Sequence, residues 1–277
     1  MSVRRGHPAV IAMWVWFGLA VVFLFTPIAT SIVYSFNLGV GGRQTSALTG
    51  WTLQWYGAAA SDPSLMSALR TSLVVAFWAA LIALVMGGAL GYALVRNPTP
   101  WVRRVLAALT YILLIVPETV IGVSLLFFYT QTHVPLGLAT LVAGHTPLSI
   151  SVVAFVVRAR LLTLDRSIEE AAADLGAGPL TVIRLILVPQ LAPALAASAL
   201  LAYTFSFDNV VISNFLSTAQ IGTLPVYLYG SLQYGPSPAV YATAVVVFAA
   251  TVVLIGIAAL VLRRGFGARS RATELTV

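Results

Sequence analysis

Six stretches of this chain are apolar for long enough to cross a lipid bilayer, and a soluble fold has nowhere to bury them all. They run roughly over 8–36, 68–95, 105–131, 138–157, 189–215 and 238–262. A hydrocarbon core about 30 Å thick takes roughly 20 apolar residues per helix. Inside it the backbone must satisfy its own hydrogen bonds, so each stretch is expected to be helical. The composition agrees: 60% of residues are hydrophobic and 8% charged. The mean hydropathy is +0.97, outside the range of ordinary soluble domains. The expected class is an all-α membrane protein in which 1–277 form a single transmembrane domain. The fourth stretch is interrupted by His145 and Pro147, which admits a short interfacial helix followed by a span. The first follows Arg4-Arg5 and outruns the apolar region of a signal peptide, so it reads as an uncleaved anchor.

Every one of the fifteen basic residues is arginine. With the N-terminus in the cytoplasm, Arg4, Arg5, Arg96, Arg103, Arg104, Arg158, Arg160, Arg166, Arg184, Arg263, Arg264, Arg269 and Arg271 fall inside, and only Arg43 and Arg70 outside. That asymmetry follows the positive-inside rule and places both termini in the cytoplasm. It also argues against a nucleic-acid surface, because the basic residues are spread over every inner loop and tail. There is no cysteine, and the three histidines (His7, His133, His145) lack metal-ligand spacing. No Walker motif, glycine-rich phosphate loop or nucleophile triad occurs. The chain is not expected to hydrolyse ATP, to hold a metal or to carry a cofactor.

Between the fourth and fifth stretches lies a polar segment, 158–188, whose second half reads SIEEAAADLGAGPLTVIRLILVP over Ser167–Pro189. Ser167 and Glu170 have capping-box spacing, so a helix should start near Ile168. Ile168, Ala171, Ala172 and Leu175 repeat at helical spacing and make one small apolar face. Arg166, Glu170 and Asp174 line a neighbouring polar face. Gly176 suits the left-handed residue that follows a helix end. Pro179 is placed to open a second short helix, and Pro189 to end it. The plain alternative is that Glu169 and Glu170 complement the helix dipole and the alanines only favour helix. It leaves unexplained why the element sits between two spans.

This segment resembles the loop by which the membrane subunit of an ABC importer grips its ATPase. The pattern is EAA, three residues, Gly, nine residues, then Ile-x-Leu-Pro. Here Glu170-Ala171-Ala172, Gly176, Ile186 and Pro189 fall in register, with Val188 in place of Leu. The resemblance implies the type I ABC importer permease fold with six transmembrane helices. It assigns Glu169, Glu170, Ala171, Ala172, Asp174, Leu175, Gly176, Ile186 and Pro189 to ATPase coupling.

Two carboxylates sit where the bilayer makes them costly. Glu118 follows Pro117 inside the third stretch, and Asp208 lies toward the outer end of the fifth. An ionised acid there needs a partner or a hydrated path. Tyr203, Phe205 and Phe207 neighbour Asp208 in sequence, and carboxylates with aromatic faces suit an organic cation. The alternative is that Glu118 is protonated, or bonded to a hydroxyl such as Thr119 or Ser124, and only joins helices. YTFSFDNVVISNFLS, PETVIGVSLL, TLPVYLYGSLQYGPSP, WTLQWY and ALRTSLVVA are similar to segments of spermidine/putrescine importer permeases of the PotC type. Asn209 stands where those permeases often have a second Asp, and Tyr241 where Asn is common. The resemblance implies a bacterial inner-membrane protein and a substrate path containing Glu118, Asp208, Tyr203, Phe205, Phe207 and Asn209. It also implies these partners: an ABC ATPase dimer binding ATP and Mg, a second permease, and a periplasmic or lipid-anchored substrate-binding protein. The aromatic outer segments, with Trp51, Trp55 and Tyr56 in one and Tyr227, Tyr229 and Tyr234 in the other, suit a landing surface for that protein or an interfacial aromatic belt. Other readings are a permease for iron, thiamine, another amine or an oxyanion, a stand-alone secondary transporter, and a membrane anchor without transport.

Overall fold

The structure, a computed structural model, describes residues 8–233, 235, 237–253 and 256. Arg4, Arg5, Tyr234, the four arginines from Arg263 onward and the last part of the sixth apolar stretch lie outside the described residues. The described chain is helical, with no strand beyond two isolated bridges in a loop. In order, the helices are α1 (Pro8–Ser35), α2 (Gln54–Ser61), α3 (Pro63–Arg96), α4 (Pro100–Ile115), α5 (Glu118–Gln131), α6 (Leu138–Leu161), α7 (Ser167–Asp174), α8 (Pro179–Val182), α9 (Val188–Phe207), α10 (Val211–Leu216), α11 (Leu224–Gln233) and α12 (Pro238–Val253). Among the described residues four helical stretches are long and apolar enough to cross a membrane, or five if α4 and α5 count as one broken span.

The chain divides into two compact units. One comprises residues up to Asp62 together with those from Gly230 onward; the other is Pro63–Tyr229. In the first, α1 is apolar on every side and exposed, with Trp16 and Phe23 more than 70% accessible. That suits a lipid-facing helix. The loop after it is organised by Asn37, which is fully buried. Its Oδ1 accepts from the Thr49 amide at 2.8 Å, and its Nδ2 donates to Gln44 at 3.1 Å and to the Ala47 carbonyl at 3.2 Å. Trp55 Nε1 donates to the Asn37 carbonyl, and the Tyr56 hydroxyl bonds Ser35. Two of the three aromatics of this segment are thus committed inward, whereas Trp51 is 71% exposed. Tyr241 stands against Tyr34, ring centres 5.9 Å apart.

The second unit is built on α3, α6 and α9. The buried side of α3 is a stripe of small residues, Ala68, Ser72, Ala76, Ala80, Ala83, Gly87 and Gly91. Lipid gives apolar helices little reason to associate, so close approach of small residues must supply the contact. A Cβ on Gly87 would stand 2.7 Å from the Ile150 carbonyl oxygen, and one on Gly91 2.8 Å from that of Ala154. Val153, Val157, Leu161, Leu187 and Leu191 complete this core, and a second cluster of Val75, Tyr129, Leu141, Ile212 and Leu216 joins α5 and α10 to α6.

Three of the apolar stretches differ in outline from the expectation. The third is not one helix: α4 and α5 meet at 98°. Val116 precedes a proline and is extended at ψ 128, as is Pro117 at ψ 132, because the ring of Pro117 excludes its predecessor from helical geometry. The fourth is unbroken through Pro147 and runs to Leu161. The hydroxyls of Thr146, Ser149 and Ser151 donate to the carbonyls of Val142, His145 and Pro147, adding bonds on either side of the Ala143 carbonyl that loses its amide partner to the proline. The fifth ends early, at Phe207, and resumes as α10 after Asp208–Val210. Pro189 does not end a helix either. Helix continues from Pro179 to Phe207 through a π turn at Ile183–Leu187. The wider turn makes room for a residue that has no amide to donate four positions back.

If the glycine contacts set the α3–α6 spacing, Gly91→Ala should lower the thermal midpoint of the purified protein in detergent, by about 1–3 kcal/mol of overpacking. Gly88→Ala, on the same helix but facing only Leu195 at 3.8 Å, should leave it unchanged or raise it. Equal responses would show that helix propensity rather than the contact controls stability here.

Candidate functional site

The polar loop begins where α6 ends. Its capping box does not form. Arg166 occupies the cap position without a side-chain bond. Asp165 supplies the acceptor instead, its Oδ1 taking the Ser167 amide at 2.9 Å. That bond holds the Asp165 carboxyl below the usual carboxylate range. Glu170 turns to Arg166 at 3.0 Å in an exposed pair. At the other end of α7, Gly176 has φ +85. Its amide donates to the Ala173 carbonyl and that of Ala177 to Ala172, the paired bonds of a Schellman motif. The apolar face is uncovered: Ile168 is half-exposed and Leu175 is 90% exposed. Ile186 lies in the π turn, within the long helical stretch rather than in the loop.

Glu169 does something that sequence spacing hides. Arg96, the last residue of α3, donates through both Nε and Nη2 to Glu169 Oε1, at 3.0 and 2.5 Å. The two side chains are only 11% and 13% accessible. Seventy-three positions separate them, so periodicity within the loop could not reveal the pair. It fastens α7 to the end of the longest helix in the chain.

The second group of candidates gathers at the two broken stretches. Glu118 is the first residue of α5. Asn209 lies in the break between α9 and α10, 8% accessible. Its Nδ2 donates to Glu118 Oε2 at 3.0 Å, while its Oδ1 accepts from the Ile212 amide at 2.9 Å. Thus neither Thr119 nor Ser124 is the partner of Glu118. An ionised aspartate at 209 could not make the first bond, for it would bring a second acceptor to a carboxylate. The asparagine is therefore a donor that anchors the acid. Asp208, next to it, is exposed, and among the described residues no side-chain hydrogen bond reaches it. Tyr203 and Phe207 stack with ring centres 6.2 Å apart. Phe205 does not join them. At 100° per residue it points about 200° away from Tyr203, and it is half-exposed.

One participant was missed entirely in the sequence. His145, 2% accessible on α6, bonds through Nδ1 to Ser206 Oγ at 2.8 Å and through Nε2 to Ser213 Oγ at 3.0 Å. The serines flank the α9–α10 break, and no spacing pattern links a histidine to residues 61 and 68 positions away.

The cavities of this unit include two of contrasting lining. One, of about 400 Å³, is lined by hydroxyl-bearing residues including Ser64, Ser67, Thr218 and Thr223. The other, of about 340 Å³, is apolar and lies beside the π turn, between Leu84, Tyr92 and Leu191. Neither is lined by Glu118 or Asp208; Glu118 is partly exposed and Asp208 exposed.

Residues 79–269 match the family described as "Binding-protein-dependent transport system inner membrane component". The chain is 34% identical over 238 residues to the putrescine transport system permease protein PotI of Escherichia coli K12, covering 84% of each chain. It is 32% identical over 236 residues to the spermidine/putrescine transport system permease protein PotC of the same organism, covering 84% of this chain and 87% of that one. Among solved structures, it is similar to a crystal structure of a bacterial ABC transporter involved in the import of the acidic polysaccharide alginate. The TM-score is 0.68 at 17% identity, with 95% of this chain and 98% of that one covered, a likeness of fold.

The Arg96–Glu169 pair yields a direct test. Glu169→Arg and Arg96→Glu each set two like charges against one another and should free the loop, at a cost no smaller than about 1–3 kcal/mol, the range for leaving one member of a shielded pair alone. Trypsin should then cut after Arg166 faster in the solubilised protein. The double exchange should restore slow cutting. Wild-type cutting rates in both single variants would mean that the pair does not hold the loop.

Proposed function

The chain belongs to the family of binding-protein-dependent transport system inner membrane components, and on that premise we propose that it carries a small organic cation of the putrescine or spermidine class. It is a multi-pass permease, a transport component and not itself an enzyme. The observation that carries the substrate class is the 34% identity to a putrescine permease across 84% of both chains. The carboxylates add a physical reason. Glu118 is oriented by one amide hydrogen bond and keeps lone pairs for an ammonium group. Asp208 is exposed beside the stacked Tyr203 and Phe207. Such a constellation attracts cations through charge and through the ring faces.

In this reading the chain is one half of a path formed with a second permease, a paralogue as in PotC-type systems. That accords with the exposure of Asp208. Six spans across a bacterial inner membrane would leave both termini on one side, and the arginine distribution favours the cytoplasmic side. An ATPase dimer binding ATP and Mg would seat against Ile168, Ala171, Ala172 and Leu175, the exposed face of α7. Gly176 would set the angle of that helix, and Arg96–Glu169 would carry its motion to α3. A periplasmic or lipid-anchored binding protein would deliver the solute to the outer face.

The deciding experiment is uptake by the complete complex in liposomes, offering putrescine and spermidine against thiamine, ferric iron and sulfate. Glu118→Gln keeps volume and can still accept from Asn209, yet removes the charge. It should raise the half-saturating putrescine concentration about tenfold, the loss of one charge-assisted contact. Asp208→Asn should also raise that concentration, more than it lowers the maximal rate. Wild-type uptake in both variants would remove the two acids from the path. Transport of sulfate but not of amines would overturn the cation reading and leave family membership intact.

A further inference from the structure

The fifth apolar stretch breaks at Asp208–Val210, and the break exposes backbone that lipid cannot solvate. Four side-chain bonds surround it. Asn209 Oδ1 takes the Ile212 amide and Asn209 Nδ2 reaches Glu118. His145 takes Ser206 on the last turn of α9 with one ring nitrogen and Ser213 on α10 with the other. Ser206 lies three positions before Asn209 and Ser213 four after it, so one imidazole spans the whole break. A neutral ring has one donor and one acceptor, and each serine hydroxyl can play either role, so the bridge is complete in either tautomer. The approach is made possible by Gly144, where a Cβ would stand 2.6 Å from Leu216 Cδ1 and 3.0 Å from Ile212 Cγ2.

We propose that His145 is a positioning residue of the solute path: by clamping α9 to α10 through Ser206 and Ser213 it fixes Asn209, and through Asn209 it fixes the direction of the Glu118 carboxylate. This rests on the reading of Glu118 as part of that path. His145 is buried and does not meet the solute. Its removal changes how well Glu118 is aimed, and so the affinity of the path more than the rate of turnover.

Two measurements on the full complex in liposomes test this. The chain has no cysteine, so a Glu118→Cys/Asn209→Cys pair reports on that one contact by its rate of disulfide formation under mild oxidation. Adding His145→Leu should slow cross-linking about tenfold, the size of a network coupling. In the chain without cysteines, His145→Leu should raise the half-saturating putrescine concentration by a similar factor with a smaller change in maximal rate. On an Asn209→Ala background it should add nothing further. If His145→Leu assembles poorly, Ser206→Ala and Ser213→Ala each remove one bond with little loss of volume, and should give the same pattern at smaller amplitude. A merely structural histidine would lower yield and thermal midpoint while leaving half-saturation and cross-linking unchanged, and that result overturns the proposal. So does full additivity with Asn209→Ala. Should the wild-type complex carry no amine, the substrate reading falls, while the cross-linking rate still decides the role of His145.

Discussion

A helix that stops inside a bilayer strands amides and carbonyls where no water can reach them, and among the described residues two apolar stretches of this chain are broken. The first stop, at Val116–Pro117, is written into the backbone by proline. The second, at Asp208–Val210, has no proline and is held by side chains from elsewhere. The two stops meet at Asn209, which satisfies the start of α10 with its oxygen and binds the first acid of α5 with its nitrogen. Much of the rest follows from accommodating this junction. Gly144 lets α6 come close enough for His145 to bridge it, and Gly122 lies against the Phe215 ring so that α5 can lie on α10.

The same economy governs the inner end. A short helix such as α7 is marginal alone, and its apolar face is uncovered. Its position depends on a cap from Asp165, a Schellman close at Gly176 and the ion pair with Arg96. Two of these are local and rigid. The third reaches across the fold to α3, whose glycines lock it to α6. α7 is thus joined to α3 by an ion pair, and α3 to α6 by close packing. α6 carries His145, so the loop and the carboxylate junction share one helix as their common support.

The loop also shows what local reading captures. Gly176 had to be left-handed because a compact helix end demanded it, and it is, at φ +85. The start of the same helix was assigned to Ser167 and Glu170, yet Asp165 caps it. Asp, Ser and Thr within a few positions compete for the same amides, and spacing alone does not rank them. Glu118 and Asp208 were legible as costly acids. That Asn209 would donate to Glu118, rather than simply lack a charge, was not, because it depends on a contact across 91 positions.

By itself the sequence determined the class, the helical content and the places where a carboxylate or a turn needs explaining. Those follow from the transfer cost of apolar and charged groups, which depends on residue type, and from glycine and proline geometry, which is local. Only the tertiary structure decided that the third stretch bends by 98°, that Pro147 and Pro189 leave their helices unbroken, and that Arg96, Asn209 and His145 are the partners that matter. Proline fixes where a helix can bend, not by how much or whether it breaks; the angle, the continuity and the partners turn on how neighbouring turns and distant groups pack, which no single segment encodes.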